Sequence, residues 1–178
     1  MKRILLFVFA ILCFVGCDNM MNTPTKRVEE FLNKFQTLDD EVLINLSESI
    51  NQNDFTEEEK DNYNRVMKRQ YQDLVYKIKD EEINGNHAIV KVEIEVYDYN
   101  KAITEVDDYF IHNQDMFLDE NGMVDNTKYI DYKIEFMSNI KERVKYTIEF
   151  YVDKKDDMWT LNNISEEDRE KIHGLFSY

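Results

Sequence analysis

Three histidines, two cysteines and many carboxylates are the side chains with which this sequence could do chemistry. His87, His112 and His173 stand far apart, and none has a second histidine at ligand spacing. A catalytic zinc site needs such neighbours on one face of an element, so each histidine reads as a surface or capping group. No Cys-x-x-Cys, His-Glu-x-x-His or Gly-x-Ser-x-Gly pattern occurs. Beyond Gly16, the glycines Gly85, Gly122 and Gly174 are isolated, which excludes a glycine-rich loop closing on a phosphate. Asp119, Glu120, Asn121 and Asp125 surround Gly122 and invite a calcium reading. The EF-hand register fails, however, because Phe117 occupies the first-ligand position; a solvated loop is expected. Glu93 and Glu95 share one strand face, and acid–base work would need one of them desolvated. Their alternation with Val92, Ile94 and Val96 turns them away from the core instead. No catalytic, cofactor-binding or metal-ligating set emerges, and the expectation is a protein that is not an enzyme.

Charge narrows the partners. The chain of 178 residues carries 22 Lys and Arg against 37 Asp and Glu, a formal charge of −15. Such a surface repels phosphate backbones and excludes nucleic acid as a partner. At 43% hydrophobic and 13% aromatic, the chain can nonetheless bury a substantial core. Met1-Lys2-Arg3 gives a positive start, residues 4–15 are unbroken apolar, and Gly16-Cys17-Asp18 ends the run. Twelve residues suit a signal-peptide core and fall short of the roughly 20 needed to span a bilayer. The ending Phe14-Val15-Gly16-Cys17 resembles a bacterial lipobox, with Phe14 in place of the usual Leu or Val. That resemblance implies cleavage after residue 16, a diacylglyceryl thioether on Cys17, and anchoring on the outer face of the cell membrane. Cys13 would leave with the leader, and lipid would account for the one remaining thiol. Two acyl chains anchor stably without help from a basic patch, which this acidic chain lacks. The expected organisation is a leader over 1–16, a lipidated N-terminus and short tether over 17–23, and one domain over 24–178. Six extended residues, Asp18 to Thr23, reach about 20 Å at most, so the domain should hug the membrane.

The elements that would position any site follow from periodicity. Thr23-Pro24 opens a helix striped by Val28, Phe31, Leu32, Phe35 and Leu38. Asp39 caps a second, with Val42, Leu43, Leu46 and Ile50. Thr56 and Glu59 form a capping box for a third, carrying Tyr63, Val66, Met67, Gln70, Tyr71 and Leu74. The period then drops to two on either side of Asn84-Gly85-Asn86, which predicts a β-hairpin. Residues 100–118, with Asn100 as cap, return to helical spacing through Ile103, Val106, Phe110 and Phe117. After the polar loop a further helix carries Ile130, Ile134, Met137 and Ile140. A second hairpin turns at Lys154–Asp157, and Ser165 caps a short last helix with Ile172 and Leu175. The order predicts an α+β fold: N-terminal helices on an antiparallel sheet of two hairpins, with a helical insertion between them.

The lipobox, the Asn22–Phe31 opening, the strands at Tyr76–Asp80 and Val92–Asp98 and the Trp159-Thr-Leu161 ending together resemble small lipoproteins of low-GC Gram-positive bacteria. These belong to the nuclear-transport-factor-two-like, or cystatin-like, superfamily. The resemblance implies a curved sheet whose concave face and covering helices enclose a cup, where the superfamily's enzymes keep their polar groups. Here the inward set would be apolar, with Val92, Ile94, Tyr146, Ile148 and Phe150 as possible pocket lining and Tyr146 as the polar handle. The expected function is a membrane-anchored extracytoplasmic binding or interaction domain, its partner a surface protein or a small apolar ligand. The alternative is a ligand carrier or an enzyme using the cup.

Overall fold

The computed structural model describes residues 22–177. The leader 1–16, Cys17 and residues 18–21 of the tether lie outside them. Helix α1 (Pro24–Gln36) starts where Thr23 Oγ accepts from Lys26 N at 3.1 Å and Pro24 fills the first turn. Its stripe of Val28, Leu32 and Phe35 is buried. Helix α2 (Asp40–Asn51) is capped by Asp39 and buries Val42, Leu46 and Ile50. Helix α3 (Glu57–Gln72) carries the full capping box: Glu59 N donates to Thr56 Oγ at 3.2 Å and Thr56 N to the Glu59 carboxylate at 2.5 Å.

Strands β1 (Val75–Asn84) and β2 (His87–Tyr97) form the first hairpin, closed by a two-residue turn with Gly85 at φ 62°. After the insertion come β3 (Arg143–Lys155) and β4 (Met158–Leu161). Their turn residues Asp156 and Asp157 both have positive φ, at 48° and 62°, the signature of a type I′ turn. The order is β1-β2-β3-β4, antiparallel throughout, so the sheet is open. A register shift between Ile78 and Asp80 bends edge strand β1.

One sheet face is core. Val90, Val92, Ile94 and Val96 of β2 and Tyr146, Ile148, Phe150 and Val152 of β3 are all 4% exposed or less. Helix α1 covers them, with Phe31 edge-on to Phe150 at 5.8 Å. The other face is a ladder of ion pairs: Lys79–Glu93 (3.2 Å), Arg143–Glu95 (3.1 Å) and Lys91–Glu149 (3.0 Å). The expected α+β class and the sidedness of the sheet both hold.

The insertion differs in detail from the expected single helix over 100–118. Helix α4 (Tyr99–His112) is capped by Asp98, whose carboxylate accepts from Lys101 N at 3.0 Å. Asn100 cannot cap it, because Asn100 lies inside the helix and its N–H donates to Gly174 O at 2.8 Å. The helix stops at His112, and a separate 3₁₀ turn, Gln114–Phe117, carries Phe117 back into an aromatic cluster with Tyr109, Phe110, Tyr129 and Tyr132. Helix α5 (Asn126–Asn139) returns, capped by Asp125. Helix α6 (Glu166–His173) ends at Gly174 in the left-handed conformation.

Candidate functional site

The residues expected to line a cup are packed away. Val92, Ile94, Ile148 and Phe150 are at most 1% exposed and Tyr146 is 4% exposed, all within one core cluster. The Tyr146 hydroxyl donates to Phe176 O at 3.3 Å, and its ring stands edge-on to Phe176. None of the five lines either of the two clefts on the molecule's surface described next.

The larger cleft has a volume of about 840 Å³. Helices α1, α2 and α3 supply one wall, and the segment from Leu161 through α6 supplies the other. The floor follows from the helix stripes: Phe31 and Phe35 meet edge-on at 5.3 Å, and Phe35 meets Tyr71 at 5.2 Å. Tyr63, Met67 and Ile164 extend this apolar surface. Around the mouth stand short amides and hydroxyls, Asn45, Ser49, Gln52, Asn162 and Asn163. Two ion pairs neutralise most of the charged lining, Lys34 with Glu41 at 2.6 Å and Arg169 with Glu166 at 3.4 Å, and Glu170 adds one further carboxylate. An apolar floor under a polar rim whose charges are mostly paired is the chemistry of a binding pocket.

His173 is the titratable group set deepest in that wall. Its ring lies 5.6 Å from Tyr71, and burial beside the Arg169 cation pushes its pKa down to about 4. It is therefore a neutral imidazole at physiological pH. Two neighbours fix its position. Gln70, fully buried, donates from Nε2 to His173 O at 2.8 Å and to Tyr97 O at 3.1 Å, and accepts from Tyr97 N at 2.9 Å. Gly174 passes so close that a Cβ there would stand 2.1 Å from Tyr97 O and 2.2 Å from Gln70 Nε2. The expectation that all three histidines sit on the surface is corrected at His173, because α6 docks on α3. The signals were a glutamine in the apolar stripe of α3 and a histidine between Ile172 and Gly174.

The smaller cleft, about 500 Å³, lies between α3 and α5. Arg69 spans its end, donating to Ser138 O at 2.5 Å and Ile140 O at 2.8 Å while its guanidinium covers Tyr97 at 3.9 Å. Partial burial and the nearby carboxylates of Glu59, Glu58 and Asp125 raise the pKa of Asp131.

The remaining sequence candidates stay separate. His87 Nδ1 meets Asp153 at 2.7 Å on the exposed sheet end, and His112 Nδ1 caps Asp108 O at 2.7 Å. Glu93 is held below the usual carboxylate range by Lys79, as the ion-pair ladder requires. In the acidic loop, Asp119 accepts from Asn121 N at 2.8 Å and Met123 N at 2.9 Å, which lowers its pKa and closes the loop on itself. Among the described residues no three His, Cys, Asp or Glu side chains come together to hold a metal ion. No helix among them is long and apolar enough to cross a membrane.

No protein-family model and no curated protein matches the chain. In structure it is similar to a candidate lipoprotein, ycdA, from Bacillus subtilis subsp. subtilis, with 17% sequence identity and a TM-score of 0.42. The likeness covers 68% of this chain and 39% of that one, so the chain spans about two fifths of that protein's length.

Proposed function

We propose that the protein is a lipoprotein anchored through Cys17 on the outer face of the cell membrane, and that its domain binds rather than transforms its ligand. The anchor rests on the leader: a basic start, a short apolar core and a small residue before cysteine. A cystatin-like ancestry fits the helices-on-sheet layout. Asn22 sharpens the geometry of the tether. Its side chain donates to Asp157 O at 2.6 Å and accepts from Trp159 N at 3.0 Å, so the domain begins at residue 22. Only residues 18–21 separate it from Cys17, a reach of about 15 Å.

The binding site is the larger cleft, not the apolar cup the sequence suggests. The observation that carries this is the combination of an aromatic floor with a neutral amide-and-hydroxyl rim in an 840 Å³ groove. That surface takes a neutral, amphipathic ligand, apolar on one side and hydrogen-bonding on the other. His173, kept neutral, offers one ring nitrogen as donor and the other as acceptor. Nile red, an uncharged apolar dye, serves as the probe. Saturable binding is expected, lost when Ser49→Trp fills the mouth and kept when Ser47→Trp places the same ring on α2 outside the cleft. Binding undiminished in Ser49→Trp, or no saturable binding at all, overturns the assignment.

A further inference from the structure

The tip of the α4–α5 insertion presents large apolar side chains to solvent. Ile111, Met116, Met123 and Val124 are 61%, 59%, 68% and 52% exposed, and they fall within one short stretch of chain. The tip is built to hold them there. Leu118 bridges Val124, Asp119 N donates to Met123 O at 2.7 Å, and the Tyr109 hydroxyl meets Met116 Sδ at 3.0 Å. Beneath them the aromatic cluster around Phe117 fills the interior, so these four residues are surplus to the packing of the hairpin. Concentrated exposure of this kind marks an interaction surface.

The charge around the patch selects the partner. Glu105, Asp107, Asp108, Asp115, Asp119, Glu120 and Asp125 all fall between positions 102 and 127, a span without a single Lys or Arg. Of these seven carboxylates, Glu105, Asp125 and Asp107 pair with Lys101, Lys128 and Lys133 just outside the span, and Lys101 lies closer to Glu142, at 2.8 Å. We propose that this tip docks a cationic amphipathic segment of another protein. Its apolar side chains would lie on Met116, Met123, Ile111 and Val124, and its lysines or arginines on the acidic rim. Methionines suit the task, since their flexible side chains adapt to varied apolar shapes. An anionic bilayer is disfavoured because the same rim repels its headgroups. A second copy of the chain would bring two acidic rims together.

The test uses full-length protein in detergent and a short helical Leu/Lys peptide. Binding should fall about tenfold or more in Met116→Ser/Met123→Ser, and stay unchanged in Ile44→Ser, an equally exposed apolar site on α2. Asp115→Asn/Glu120→Gln, which leaves packing untouched, should weaken binding at low salt and flatten its salt dependence. Equal binding by parent and tip variant overturns the proposal. So does flotation with phosphatidylglycerol vesicles, or self-association by sedimentation, that the Met→Ser changes abolish.

Discussion

Gln70 shows how one buried side chain can tie three elements together. Its amide satisfies both backbone groups of Tyr97 at the end of β2 and the last carbonyl of α6, while its own backbone belongs to α3. Gln70→Leu keeps the volume but orphans those groups, and should cost about 2–4 kcal/mol in denaturant unfolding. Gly174→Ala should be at least as damaging, because its Cβ would overlap a carbonyl oxygen and because φ is 71° there. His173 supplies a pH signature. Its pKa of about 4 lies below the ordinary 6.5, so between these values the unfolded chain takes up a proton that the folded chain refuses. Its contribution is therefore intact above pH 6.5 and lost as pH falls toward 4. Wild type should lose about 2–3 kcal/mol more than His173→Phe over that interval, measured by urea unfolding at each pH. Parallel curves for the two proteins would mean that the imidazole is freely solvated.

Among the elements, those with local signals were readable and those set by docking were not. Thr23, Asp39, Thr56 and Ser165 cap the helices they were expected to cap, because a cap depends on the few residues around it. The alternation of β2 and β3 placed their buried faces correctly. The start of α4 was misplaced by a long-range bond: Gly174 O holds Asn100 N, and Asp98 becomes the cap. The larger cleft was illegible for a similar reason. It lies between helices α1 and α2 and the segment from Leu161 through α6, which docks on α3 and β2, and no periodicity encodes that docking. Tyr146, the expected polar handle, was read correctly as inward-facing, but its inward side is packed core. The β3–β4 turn gives an element-scale prediction. Asp157 adopts a left-handed φ of 62° that glycine takes without strain. Asp157→Gly should raise stability by about 0.5–1 kcal/mol, visible as a rise of a few degrees in Tm. A fall in Tm would show that the aspartate side chain matters more than its backbone strain.

At the level of the whole molecule, the proposed anchor and the proposed tip surface fall at opposite ends of the sheet. Asn22 is bound at the β3–β4 turn, the sheet end nearest the tether. The insertion is rooted at the opposite end, where Tyr97 pairs with Arg143. Strand β2 alone has 11 residues, so these ends stand roughly 35 Å apart. With the proposed anchor on Cys17, a tether of residues 18–21 would keep the first end at the bilayer and carry the roots of the insertion away from it. The formal charge of −15 belongs to solvated faces, the sheet's ion-pair ladder and the acidic tip, and adds no attraction to an anionic membrane. The proposed anchoring therefore rests on lipid at Cys17 alone. The decisive measurement is metabolic labelling with palmitate, followed by detergent phase partition of wild type and Cys17→Ser expressed in a Gram-positive host. The account predicts label and detergent-phase recovery for wild type, and an unlabelled chain with its leader retained for the variant. Equal labelling of both, or a wild-type chain processed without label, would contradict it.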